Sequence, residues 1–370
     1  MSYFDHAATT PIRQVAIDAW LEYAGAFNPG SAYSSGRRAR SVLDDARERI
    51  ASLMGAEPIE VIITASGTEA DNLAVQGLFR ASPRARIVTT AIEHPAVGET
   101  VRALTDDVDI LPVGRSGHIT DLSALDTPAA VAAVMLANNE TGAIQPVEEI
   151  VERATAVGTP VHVDAVQAVA KVPIDFHSLG ATTLASSAHK YGGPRGVGFL
   201  LAKRSPAPSA VLHGGGQERG VRPGTVDVAS AAAMAAALTE AIAEREAENA
   251  RVSTLRERLV AGIRAAVDDV IINTVEPALP GHAHLSFPGA DGDSLIMLLD
   301  AAGIEASTGS ACHAGVNRMS HVLEAMGVGP AEGLGSLRLT LGPATREEDI
   351  AELVAVLPGI VDRARAAGQR

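Results

Sequence analysis

Between residues 59 and 201 the chain alternates short, apolar, β-branched runs with stretches of helical periodicity, and this alternation restricts its fold more than any other feature. Residues 59–64, 86–91, 108–113, 131–136, 161–163, 182–185 and 197–201 read as strands. Residues 67–79 and 95–104 between them read as helices. Ahead of them, 37–54 places Val42, Leu43, Ala46, Ile50 and Leu53 on one helical face, with Gly55 as a stop. Strands that are apolar throughout and separated by helices are covered on both faces, so an α/β fold with a large, mainly parallel sheet is expected.

After Val226 the texture changes. An Ala-rich segment running to about Leu259 predicts one long, partly exposed helix that joins two domains. The tail from Asp268 carries fewer strands. It closes in a helix from about Arg346 with Ile350, Leu353, Val354, Leu357 and Ile360 on one face, and Pro358 is expected to kink it. With 370 residues, about two domains are expected. The predicted division is a large domain at 13–247 and a smaller α+β domain made of 1–12 and 248–370.

Lys plus Arg number 30 and Asp plus Glu 44, a net charge of −14 that argues against nucleic-acid binding. No apolar run approaches the roughly 20 residues of a spanning helix, and Met1 to His6 lacks the pattern of a secretory signal, so no membrane partner and a cytoplasmic location are expected. The single cysteine, Cys312, excludes an internal disulfide and a Cys-rich zinc site.

In an open α/β sheet, ligands bind beyond the carboxyl ends of the strands. Five predicted strand ends carry polar residues: Ser66-Gly67-Thr68-Glu69, Glu93-His94, Asn138-Asn139-Glu140, Asp164 with Gln167, and Ser187-Ala188-His189-Lys190. Each has a plain alternative. Asn138-Asn139 also reads as a turn, Asp164 as a helix cap, Lys190 as a surface lysine and His94 as a helix start. Ser66 to Glu69 forms a capping box whose Gly67 and Thr68 amides face outward, a phosphate-binding arrangement; the bare Gly67 lets an anion approach.

His213-Gly214-Gly215-Gly216 resembles an esterase oxyanion loop, but the matching nucleophile elbow is absent. No P-loop, dinucleotide fingerprint or His-Glu-x-x-His motif occurs. A phosphate cup, a strand-end Asp and a strand-end Lys suit pyridoxal 5'-phosphate: the Lys condenses with the aldehyde, the Asp pairs with the ring nitrogen, and a His stacks on the ring. Cys312 lies among small residues in Gly309-Ser310-Ala311-Cys312-His313-Ala314-Gly315, which reads as an exposed loop. It is either a nucleophile, with His313 and Arg318 lowering its pKa, or a spare thiol.

Over nearly its full length the chain resembles the class I (NifS/IscS-type) cysteine desulfurases of the class V aminotransferase family. The matching segments are Phe4-Asp5-His6-Ala7-Ala8-Thr9-Thr10-Pro11, Gly67-Thr68-Glu69-Ala70-Asp71-Asn72, Glu93-His94, Asn138-Asn139-Glu140-Thr141-Gly142, His162-Val163-Asp164-Ala165-Val166-Gln167, Ser187-Ala188-His189-Lys190, His213-Gly214-Gly215-Gly216-Gln217-Glu218-Arg219 and Thr308-Gly309-Ser310-Ala311-Cys312. The resemblance implies pyridoxal-phosphate fold type I. It implies that Lys190 carries the cofactor, Asp164 faces the pyridine nitrogen, Gln167 reaches the ring hydroxyl and His94 stacks on the ring. Gly67, Thr68, Ser187 and His189 would contact the phosphate, with Thr225 doing so from the other subunit of a homodimer. Asn139 and Arg338 would hold the substrate carboxylate.

The implied reaction turns L-cysteine into L-alanine and leaves a persulfide on Cys312. That sulfur would pass to an acceptor such as an iron–sulfur scaffold or a tRNA or DNA thiolation enzyme. No metal site is expected, although Cys312 could also ligate an iron–sulfur cluster. The sequence departs from the family pattern at Tyr33, Pro223 and His313. The alternatives are a selenocysteine lyase, an aminotransferase of the same fold, which has no use for the loop thiol Cys312, and a degenerate assembly partner, against which the presence of Lys190, Asp164 and Cys312 counts.

Overall fold

The computed structural model describes residues 1–309 and 319–368. Strand β1 (Ser2–Tyr3) precedes helices α1 (Gln14–Tyr23) and α2 (Ser34–Met54). Then come β2 (Val61–Thr64), α3 (Gly67–Ala81), β3 (Ile87–Thr90), α4 (Pro95–Leu104), β4 (Val108–Leu111), β5 (Val131–Met135), α5 (Val147–Ala156), β6 (Val161–Asp164), α6 (Phe176–Leu179), β7 (Thr183–Ser187) and β8 (Gly198–Ala202). Helix α7 (Val228–Ala266) leads into β9 (Ile271–Ile272), β10 (His282–Ser286), α8 (Gly292–Ala301), β11 (Ile304–Glu305), α9 (His321–Ala325), α10 (Pro330–Gly333), β12 (Ser336–Thr340) and α11 (Glu347–Gly368).

Seven strands form one sheet in the order β2-β8-β7-β6-β5-β3-β4. Only β8 runs against its neighbours; the other pairs are parallel. Alternation along each strand sends side chains to opposite faces. Val61 and Ile63 enter the core shared with α2, α5 and α7, while Ile62 packs under α3. Ala132 and Val134 go to the first core and Ala133 to the α3–α4 side. Both faces are therefore covered, as the apolar runs predict.

A second core gathers Phe4, the later part of α7, β10, β12, α8 and α11 around an antiparallel sheet in the order β12-β10-β9. Along α7 the first core ends at Ala241 and the second begins at Val252.

Several boundaries differ from the sequence reading for local reasons. Residues 58–60 form a 3-10 turn closed by Glu57 and Glu60, so β2 begins at Val61. β7 continues through Ser186 and Ser187 because both pair with β8. β4 stops at Leu111 because Pro112 has no amide to donate. α7 runs past Leu259 to Ala266, carried by the buried Leu259 and Ile263. α1 was not anticipated, and α11 runs unbroken through Pro358.

Candidate active site

The carboxyl ends of β2, β3, β5, β6 and β7 open into one cavity of about 350 Å³, within the range of small-molecule sites. Gly67, Thr68, His94, Asn139, Asp164, Gln167, Ser187, His189, Lys190 and Arg338 all line it. Thr225 does not: it borders a separate cavity with Arg47 and Glu218. Cys312, His313 and Arg318 lie outside the described residues.

One end of the cavity is built by α3. Ser66 caps the helix by accepting from the Glu69 amide at 3.1 Å. The capping box is only half formed, because the Glu69 carboxylate accepts from Ala65 rather than Ser66 and also takes Arg222 at 3.2 Å. Among the described residues the Gly67 and Thr68 amides have no partner, so two N–H groups at the positive end of a 15-residue helix face the cavity. Gly67 has a further reason to be glycine. A Cβ there would stand 2.7 Å from Val166 Cγ2 and 3.2 Å from Ser187 Cβ, so a bare backbone is what lets α3 seat against the β6 and β7 ends.

Lys190 follows β7 in a 3-10 turn and donates to the Ala7 and Ala8 carbonyls at 2.6 and 3.0 Å. Burial, reinforced by Arg338, pushes its ammonium down to about 8 against the pull of Asp164 and Asp5. Of the chain's three lysines, Lys203 instead reaches the Gly180 carbonyl, and Lys171 sits behind the site on Gln167 Oε1 at 3.3 Å. Burial, with Lys190 and Arg338, lowers Lys171 to about 7.

The floor is acidic. Asp164 accepts from the Val166 amide at 2.9 Å, and burial raises its pKa despite His94 and Lys190. Asp71, on α3, is raised well above its usual range by burial and by Asp164 and Glu93. Glu93 is raised to about 8, first by burial. His162 joins this floor because it stands two residues before Asp164 on β6 and so shares its face. Its Nε2 lies 3.1 Å from Asp71 Oδ1 and its Nδ1 3.0 Å from Thr183 Oγ1, and burial lowers its pKa to about 3.

His94 caps α4 by accepting the Ala96 amide at Nδ1, 3.1 Å away. Its remaining ring proton is thereby fixed on Nε2, and burial keeps the ring neutral. His189 Nδ1 lies 3.2 Å from Thr9 Oγ1, and burial, with Lys190, lowers its pKa to about 4. Gln167 donates to the Ala7 carbonyl at 2.9 Å.

At the other end of the cavity, Arg338 on β12 is 3% exposed. It donates to the Asn139 carbonyl at 3.0 Å and to Asp5 Oδ1 at 2.7 Å, while its buried Nε has no partner among the described residues. The turn at Asn138-Asn139 is real but divided. Asn138 Oδ1 holds the Glu140 and Thr141 amides, whereas Asn139 lines the cavity.

These residues fit pyridoxal phosphate. Two free amides at a helix start suit a phosphate, a half-buried lysine of lowered pKa suits an aldehyde, and carboxyls raised first by burial suit a cationic ring nitrogen. Sequence reasoning gave no role to Asp71, Glu93, Glu140, His162, Lys171 or His321. The spacing Gly67 to Asp71, one helical turn, and the period of two from His162 to Asp164 are the signals that could have found two of them.

The aminotransferase class-V family model matches residues 2–353. The chain is 47% identical to an IscS-like cysteine desulfurase of Mycobacterium tuberculosis, covering 99% of this chain and 98% of that protein. Among solved structures it is similar to a NifS-like protein, with a TM-score of 0.91 and 32% identity over 98% of this chain and all of that one. It is also similar to SspA in complex with cysteine, with a TM-score of 0.80 and 29% identity over 94% of this chain and all of that one.

Proposed function

The chain belongs to the aminotransferase class-V family and, within it, to the cysteine desulfurases, and from that premise we propose how its residues divide the conversion of L-cysteine to L-alanine. The enzyme depends on pyridoxal phosphate. The cofactor, when bound, supplies an electron sink for charge developing at the substrate Cα. One observation carries the assignment of roles: a half-buried lysine, a buried aspartate and a buried arginine whose Nε has no partner among the described residues all line a single cavity.

The Gly67 and Thr68 amides, Ser187 and His189 hold the phosphate. Asp164 would pair with the ring nitrogen of the bound cofactor, and Gln167 would serve its ring hydroxyl. His94 would stack on the ring of the bound cofactor and offers its Nε2 proton. Arg338, with its fork geometry, takes the substrate carboxylate together with Asn139. Lys190, uncharged above pH 8, holds the proton removed from Cα at its Nζ.

Cys312 Sγ, as thiolate, forms a bond to the substrate sulfur while the substrate C–S bond breaks. The electron pair of that bond stays with the carbon skeleton, which is reprotonated and leaves as alanine; the sulfur remains on Cys312 as a persulfide. A protein acceptor, an iron–sulfur scaffold or a thiolation enzyme, receives it. The cytoplasm, where a catalytic thiol stays reduced, is the compartment this chemistry needs. No helix among the described residues is long and apolar enough to cross a membrane.

The reading includes a homodimer in which Thr225 of each subunit serves the other's phosphate. Its support is that Thr225 lies outside the cavity holding Lys190, beside Asn28 and Gly30, and that the neighbouring Phe27 and Tyr33 are exposed. It also divides the chain into 13–247 and 1–12 with 248–370. The change of core along α7 between Ala241 and Val252 supports that boundary.

Borohydride reduction of the loaded enzyme, followed by peptide mass mapping, tests the assignment. The cofactor mass belongs on Lys190, and Lys190→Ala abolishes both the adduct and turnover. An adduct on Lys171 or Lys203 contradicts it.

A further inference from the structure

Glu140 is given no task by the reaction above, yet its position is costly. It is 2% exposed, and a carboxylate taken out of water without an ion pair is unfavourable unless hydrogen bonds compensate. Among the described residues no lysine or arginine forms a salt bridge with it. Burial raises its pKa, opposed by Ser320, His321 and Arg338.

Its contacts fall on both flanks of one segment. On the far side of residues 310–318, the Ser320 hydroxyl donates to Glu140 Oε2. The same Ser320 oxygen caps α9 by accepting the Val322 amide at 3.0 Å. On the near side, Gly309 packs so closely on Glu140 that a Cβ there would lie 2.9 Å from Oε2. Two further bonds fix these flanks to the site. Ser307 exchanges backbone hydrogen bonds with Arg338 at 2.6 and 3.3 Å, and His321 Nε2 donates to the Glu93 carbonyl at 3.0 Å, next to His94. Through its own backbone Glu140 follows Asn139, whose carbonyl holds Arg338. One carboxyl side chain thus joins the substrate-carboxylate end of the cavity to both ends of the segment that contains the chain's single cysteine.

We propose that Glu140 is a positioning residue for sulfur transfer: it holds residues 309 and 320 at a fixed separation beside Arg338, and so sets where Cys312 is delivered. The inference rests on the desulfurase reading. Because misplacement of a reacting group by about 1 Å can cost a hundredfold in rate, loss of this tie affects the second half of the reaction and not the first.

The test separates the halves by rapid mixing with L-cysteine, following cofactor absorbance for substrate binding and Cys312 persulfide by mass spectrometry. Glu140→Ala is expected to keep the absorbance change and the KM for cysteine within about twofold while persulfide formation slows about 10- to 100-fold. Glu140→Gln keeps an acceptor for Ser320 and recovers to within about threefold. Ser320→Ala slows the same step, and the double variant is no slower than Glu140→Ala, since both remove one tie. In cofactor-free protein, iodoacetamide alkylation of Cys312 changes rate by more than about threefold in Glu140→Ala but not in Glu140→Gln.

Persulfide formation in Glu140→Ala within twofold of wild type overturns the inference. So does loss of cofactor response in parallel with it, or additive effects in the double variant. A wild type that forms no persulfide on Cys312 overturns the desulfurase reading and the inference with it.

Discussion

A lysine in water loses its proton near pH 10.4, whereas Lys190 does so at about 8 because burial and Arg338 disfavour its charge. Below that value Nζ is protonated and cannot attack an aldehyde; above it the free amine is available. Uptake of pyridoxal phosphate by cofactor-free protein, followed by absorbance, should therefore accelerate about fivefold from pH 7 to pH 8 and about tenfold from pH 7 to pH 9, and level off above that. A rate that climbs only toward pH 10 would contradict the lowered value. Arg338 gives a second prediction. Arg338→Ala should raise the KM for L-cysteine about 10- to 100-fold, as loss of a charge-assisted bond implies, with cofactor binding retained. An unchanged KM in steady-state assays would remove Arg338 from substrate recognition. Lys190, Asp164 and His94 were legible because each closes a strand, where polar residues stand out against apolar runs. Glu140 and His321 were not, because their meaning depends on partners about 180 and 228 positions away.

Among the elements, the helix that ends β2's crossing to the site has the narrowest tolerance. An alanine at Gly67 would push its Cβ into Val166 and Ser187, forcing the start of α3 away from the β6 and β7 ends. Gly67→Ala is expected to cost about 1–3 kcal/mol in denaturant unfolding and to weaken pyridoxal phosphate binding at least about tenfold. Wild-type affinity in a titration would show that the amides at Gly67 and Thr68 are not the phosphate cup. The sequence made most of the sheet visible, since 95–104 and the apolar strand runs carry periodicity on their own faces. It did not make visible α1 or the 3-10 turn before β2. α1 buries only Ala16 and so shows almost no apolar stripe, and the turn depends on Glu57 and Glu60 bonding each other's backbone.

At the scale of the whole molecule, a shared site makes a prediction that no single chain can satisfy. If Thr225 serves the partner's phosphate, Lys190→Ala and Thr225→Glu are each inactive alone. Mixing and re-equilibrating them should restore about a quarter of wild-type turnover, because half the dimers are mixed and each has one intact site. No recovery in the mixture would place Thr225 outside the partner's site. The long helix α7 was readable because the segment is Ala-rich, while the pairing of Phe4 with the second core was not, since two distant stretches meet there. The central claim is that sulfur leaves cysteine onto Cys312, and mass spectrometry after incubation with L-cysteine tests it most directly. The account predicts a gain of one sulfur, about 32 Da, on the Cys312 peptide alone, with turnover in Cys312→Ala lower by at least about a thousandfold. An unmodified Cys312 peptide in the turning-over enzyme, or desulfurase activity retained in Cys312→Ala, would contradict it.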